Sequence, residues 1–201
     1  MNIFCTFTLY YSGRYTVCWQ QTYTFETMER IITPPAPSEY GEFFSNYIEA
    51  AATEDLLSAL AASEEYIVNF MLSLKEQQLL HRYQPGKWSI KELLVHMIDA
   101  ERIFAYRALR FARKDRTELP GFEENDYVGP SKADARAITS ILAEYAAVRQ
   151  ATIELFKSFD EEMLGETGIA SGNQISVRAL GYSILGHEIH HLNIIRHRYL
   201  A

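Results

Sequence analysis

The sequence predicts an all-α protein, a four-helix bundle with an extra N-terminal segment, and three observations carry that expectation. Apolar residues recur at three- and four-residue spacing through four long stretches after Glu39. Helix-start signals precede two of them: Ser89 with Glu92 three residues on, and Ser131 with Asp134 three residues on. No alternating strand pattern of useful length competes with them beyond the N-terminal segment. Four such stretches joined by loops can bury their apolar stripes only against one another, which makes a bundle.

Residues 1–27 differ from the rest of the chain. Arg14 and Glu26 are their only charged side chains, among aromatic and threonine residues such as Tyr10, Tyr11, Tyr15 and Trp19. Met28 is followed by Glu29-Arg30 and then by the run Thr33-Pro34-Pro35-Ala36-Pro37-Ser38, which reads as an extended linker. The chain thus divides into an appendage and Pro-rich linker over 1–38 and a helical bundle over 39–201. For residues 1–27 two readings stay open: sequence upstream of a true start at Met28, or an additional β-hairpin or ordered tail.

Phe43, Phe44, Tyr47 and Ile48 mark a short amphipathic helix. Thr53 is placed to cap a longer one, with the apolar face Leu56, Leu60, Ile67, Phe70, Met71 and Leu74, ending before Pro85-Gly86. The next helix opens at Ser89, where Glu92 closes a capping box and Trp88 staples onto Leu93, and runs to about Ala112. From Lys114 to Pro130 the pattern lapses into a loop holding Glu118, Glu123, Glu124 and Asp126, which reads as a solvated acidic crossover ahead of a lid. Ile138, Leu142, Tyr145, Val148, Thr152, Leu155 and Phe159 then line a helix opening at Ser131. Gly165, Gly168 and Gly172 follow no strand and form no phosphate loop, so they read as a turn. The last helix starts around Ser176 and reaches the C-terminus.

Composition narrows the function classes. At 201 residues with 48% apolar and 22% charged side chains, the chain suits one globular domain with a real core. Nineteen basic against 26 acidic residues give a formal charge of −7, so no basic field attracts nucleic acid or an anionic membrane. Cys5 and Cys18 are the only cysteines, which excludes a disulfide framework or thiolate zinc site for the bundle and suggests a reducing, cytoplasmic setting. No apolar run approaches the roughly 18 residues of a membrane span, and Met1-Asn2-Ile3-Phe4-Cys5 lacks the positive start of a signal peptide.

Four of the six histidines fall in the last helix: His187, His190, His191 and His197. Four residues apart, His187 and His191 lie about 40° from each other on one face, where both rings can reach a single metal ion. Val177, Leu180, Ile184 and Ile195 share that stripe, so the pair points inward. His190 is displaced to the periphery, and His81 lies in a loop. His96, at the edge of the stripe carrying Leu93, Ala100 and Ile103, completes a three-His site with open coordination positions if its helix neighbours the last one. The run His187-Glu188-Ile189-His190-His191 also fits the zinc-protease pattern. That reading fails at the third ligand: Ile194 stands where a glycine bends the chain, and continued helix carries His197 about 9 Å further along the axis.

Lys87-Trp88-Ser89-Ile90-Lys91-Glu92-Leu93-Leu94-Val95-His96 and Gly186-His187-Glu188-Ile189-His190-His191 resemble the first-ligand helix and the C-terminal metal motif of the DinB-like, YfiT-like superfamily of metal-dependent hydrolases. The similarity spans about residues 40–200 and leaves residues 1–27 unmatched. It implies a four-helix bundle in which His96, His187 and His191 bind a divalent metal such as nickel, zinc, iron or manganese. It also implies a metal-dependent hydrolase or a thiol S-transferase, with a small-molecule substrate and in some relatives a low-molecular-weight thiol. A homodimer is the expected assembly. The rival expectation is a non-catalytic metal-binding or stress-response bundle working through dimerisation. Glu101 and Glu188 are the candidate catalytic carboxylates. Glu101 either supports a ligand ring from the inward stripe or pairs with an arginine such as Arg149 or Arg178, and Glu188 is open to second-layer support or to proton transfer.

Overall fold

The structure, a computed structural model, describes residues 31–200, so the expectations for residues 1–27 lie outside it. The bundle is built from α2 (Leu56–Ser73), α4 (Ile90–Ala112), α6 (Ile138–Lys157) and α8 (Val177–Ile194), with α4 packed on α6 and α8 and α2 packed on the same pair. Shorter pieces complete it: α1 (Ser45–Ala50), α3 (Glu76–Leu79), α5 (Glu124–Ser131), α7 (Glu161–Gly165) and the hairpin β1 (Thr167–Ala170) and β2 (Asn173–Ser176). A π-helical turn, Ile195–Tyr199, follows α8.

The start of α4 is the one the sequence predicts. Ser89 Oγ accepts from Glu92 N at 3.1 Å and Glu92 Oε2 accepts from Ser89 N at 2.8 Å, while Trp88 packs against the cluster that holds Leu93. Ser176 caps α8 in the expected place, accepting from Ala179 N at 2.9 Å. Elsewhere tertiary contacts override local signals. Asp55, not Thr53, caps α2 by accepting from Leu57 N and Ser58 N. That helix ends at Ser73, and α3 intervenes before Pro85-Gly86.

Ser131 closes a helix where the sequence suggests it opens one. The acidic segment 114–130 is only partly loop, because Glu123 accepts from Asn125 N and caps α5, which then ends at left-handed Lys132 (φ 51°). Asp134 caps nothing of its own. Its carboxylate accepts from Ser89 Oγ at 2.5 Å and from Arg82 at 2.8 Å, tying this connection to the head of α4, and α6 begins later, at Ile138.

The glycine-rich turn is the tip of a hairpin in antiparallel register, Thr167 opposite Ser176. Ser171 and Gly172 both take positive φ (52° and 73°), the geometry of a two-residue turn whose twist matches the strands. Gly168 has a packing reason: a Cβ there would lie 2.2 Å from the Phe111 ring of α4.

The Pro-rich segment is extended, as expected, and docked rather than free. Ile32 is fully buried, its N–H donates to Asp55 Oδ1 at 3.2 Å, and its carbonyl accepts from Leu56 N at 3.0 Å and from the Tyr182 hydroxyl at 2.9 Å. No helix among the described residues is long and apolar enough to cross a membrane.

Candidate metal centre

α4 and α8 are neighbours, and their contact brings three histidines together. His96 Nε2 lies 3.1 Å from His187 Nε2, His191 Nε2 lies 3.0 Å from the same atom, and one ring nitrogen from each falls within 4.8 Å of the others. Nitrogens bound tetrahedrally to one ion at 2.0–2.1 Å stand about 3.3 Å apart, so this spacing suits a shared ion. Burial holds the rings neutral. It pushes His96 down to about 4 and His191 down to about 3, the latter aided by His96 and His190, and it carries His187 well below its ordinary value. Neutral imidazoles keep the lone pairs that ligation requires.

Two unpartnered atoms also fit a bound ion. His191 Nδ1 is buried without a hydrogen-bond partner among the described residues, and so is Glu188 Oε1, three residues earlier on α8. An imidazole ligating through Nε2 keeps its proton on Nδ1, and a nearby carboxylate oxygen is its usual acceptor.

Beside the histidines lies a buried polar cluster. Arg149 of α6 grips Glu101 of α4 through two nitrogens, Nε to Oε1 at 3.0 Å and Nη2 to Oε2 at 2.9 Å, and reaches Glu188 Oε2 at 2.6 Å. Tyr145 donates its hydroxyl to the same Glu188 oxygen at 2.6 Å. Of the two readings of Glu101, the arginine pair is the one the structure makes. Burial alone would lower the Arg149 guanidinium, and Glu188 and Glu101 together carry it above its ordinary value. One cation between two carboxylates leaves an excess negative charge close to three neutral rings, a setting that favours a cation.

Aromatic rings wall the centre. Trp88 sits 4.9 Å from His96, Tyr47 packs edge-on 5.4 Å from His187, and Phe104 stands 6.0 Å from His187. Tyr47 comes so near because Gly186 precedes His187: a Cβ at 186 would lie 1.7 Å from the Tyr47 carbonyl oxygen. One opening is lined by a ring of the centre, and a second lies beyond Tyr47 and His190. The first, narrow and beside His96, is also lined by Phe122, Glu124 and Tyr127 from the acidic segment, and the second, a broad cleft of about 710 Å³, runs past Tyr47 and His190 to Asn173.

Of the remaining histidines, His190 and His197 are exposed and stand outside the three-ring group, and His81 packs against Tyr199 instead. The wall residue Tyr47 and the cluster member Tyr145 are ones that the sequence places only on the apolar faces of helices, and Phe104 carries no separate signal. The glycine directly before His187 is the signal that could have marked Tyr47.

A family model described as the DinB superfamily matches residues 59–195, more than half of the chain. A curated protein of Oceanobacillus iheyensis, named provisionally as a metal-dependent hydrolase, is 26% identical over 153 residues, covering 74% of this chain and 87% of its own. Among solved structures, YfiT from Bacillus subtilis, described as a probable metal-dependent hydrolase with an unusual four-helix bundle topology, superposes with a TM-score of 0.58. It shares 14% identity, over 82% of this chain and 91% of its own, so the likeness is one of fold.

Proposed function

Because the chain belongs to the DinB superfamily, we propose that it is a metal-dependent enzyme acting on a small molecule, by hydrolysis or by transfer of a low-molecular-weight thiol, with His96, His187 and His191 as the metal ligands. The observation that carries this reading is the convergence of three neutral imidazole nitrogens, with Nε2 of His187 at 3.0–3.1 Å from those of the other two, beside an opening lined by His96. A divalent ion held by three neutral ligands supplies Lewis acidity that makes a nucleophile available near neutral pH. In this reading water or a substrate thiol is that nucleophile.

The chain's own residues do the rest. Trp88, Tyr47 and Phe104 shield the centre from bulk water. Arg149 and Tyr145 hold Glu101 and Glu188, and through them fix α4 and α8 so that the three rings stay in register; in this reading both carboxylates position ligands rather than touch the reacting atoms. The acidic segment, through Phe122, Glu124 and Tyr127, borders the approach to His96 and meets the part of the substrate nearest it.

Metal analysis of purified protein tests the ligand set. Substituting alanine for His96, His187 or His191 should abolish stoichiometric metal, whereas His190→Ala and His197→Ala should retain it. Small esters and amides, and thiols offered with an electrophile, are then compared on metal-loaded protein, metal-free protein and His187→Ala. Turnover that needs both metal and thiol supports transfer, and turnover that needs metal alone supports hydrolysis. Stoichiometric metal with no turnover across the panel would favour the non-catalytic bundle.

A further inference from the structure

Among the described residues, buried cations are paired with carboxylates, with one exception. Lys91 reaches Glu76 at 2.5 Å and Arg149 is held by Glu101 and Glu188. Arg107, on α4, is 3% exposed, yet no carboxylate pairs with it among the described residues. Its contacts are neutral: Nη2 donates to the Pro120 carbonyl and to Ser171 Oγ, both at 2.9 Å, and the guanidinium lies 5.8 Å from the Phe104 ring centroid. Nε and Nη1, which carry the other three N–H groups, have no partner among the described residues. Burial lowers the affinity of Arg107 for its proton. An isolated buried charge is costly, and a guanidinium with a free fork is shaped to take a planar or tetrahedral oxyanion.

Its position ties it to the three histidines. Eleven residues separate Arg107 from His96, which on a helix is about 20° of rotation and about 16 Å of rise, so the two lie on nearly one face of α4. The Phe104 ring lies near both ends, 6.0 Å from His187 and 5.8 Å from Arg107. Pro120, whose carbonyl accepts from Arg107, is exposed, and Ser171 belongs to the same turn as Asn173, one of the residues lining the 710 Å³ cleft.

We propose that Arg107 docks an anionic group of the substrate, a carboxylate or phosphate carried roughly 10–15 Å from the reacting atom. The proposal rests on the three-His reading for its orientation, but anion binding at Arg107 is measurable without metal or turnover. The full-length protein, stripped of metal, is melted in sodium phosphate and in sodium succinate against sodium chloride of equal ionic strength. At least one of the two anions should raise the melting temperature in a saturable way, and which does so separates a phosphate from a carboxylate ligand.

In Arg107→Gln and Arg107→Met the apparent affinity should fall at least tenfold, and Arg107→Lys, which keeps the charge and loses the fork, should fall between. No response in the unsubstituted protein, or an equal response in all three variants, overturns the proposal and leaves Arg107 as a brace for the Pro120 and Ser171 turns. Metal content of the same samples reports on the three-His site separately, so failure of one reading is not mistaken for failure of the other.

Discussion

At the scale of single residues, the centre is defined by where protons are absent. Three imidazoles held neutral by burial suit a metal and also make the metal-free protein sensitive to acid. A histidine whose folded value lies below its unfolded value of about 6.5 contributes stability that is complete above 6.5 and is lost as pH falls toward the folded value. For His96 that window runs from about 6.5 to about 4, and for His191 to about 3. Carboxylates held low, such as Asp134 beside Ser89 and Arg82, act mainly below pH 4, so loss of stability between 6.5 and 4 belongs to the histidines. Metal-free protein should lose of the order of 3 kcal/mol there from His96 alone, at about 1.4 kcal/mol per pH unit. His96→Gln should flatten denaturant-derived stability over the same range, and an unchanged slope would refute the assignment. The histidines were legible in the sequence because a four-residue spacing on an apolar stripe is a local pattern. Arg107 was not, because an unpaired charge is defined only by what surrounds it in space.

At the scale of elements, what the sequence disclosed depended on whether the cap and its partner lie in one segment. Ser89 and Glu92 satisfy each other three residues apart, so the head of α4 could be read directly. Ser131 and Asp134 imitate the same pattern, but Asp134 spends its oxygens on Ser89 and Arg82 from elsewhere in the chain, and the true helix starts at Ile138. The hairpin escaped notice because strands of four residues carry too little alternation to stand out. The approach of α1 to α8 is likewise invisible locally, although one residue controls it. Alanine normally gains about 1 kcal/mol over glycine within a helix. At Gly186 the added carbon would meet the Tyr47 carbonyl at 1.7 Å, and that atom is backbone that cannot rotate away. Gly186→Ala should therefore destabilise by about 1–3 kcal/mol, the usual cost of overpacking, and loosen Tyr47 from His187. Gly165→Ala, where nothing lies within 4 Å, should be close to neutral in the same melting assay, and equal effects at the two sites would refute the packing argument.

At the scale of the whole molecule, the question is where the bundle begins. A boundary at 38 follows from composition, since prolines and small polar residues look like linker. Packing draws it earlier, because Ile32 fills the core and its backbone bonds to Asp55, Leu56 and Tyr182 at the junction of α2 and α8. Burial of one such side chain contributes about 1.5–3 kcal/mol, and its hydrogen bonds add about 1 kcal/mol each. Two shortened chains distinguish the boundaries. A chain starting at Met28 retains Ile32 and should match the full chain in helicity, melting temperature and metal content, which is the outcome expected if residues 1–27 are an appendage. A chain starting at Glu39 loses Ile32 and leaves the Tyr182 hydroxyl with only the Thr53 carbonyl, at 3.2 Å, so it should unfold at distinctly lower denaturant. Equal stability of the two chains would show that the extended segment rests on the bundle without supporting it. Aggregation of the Met28 chain alone would mean that residues 1–27 cover apolar surface and belong to the fold.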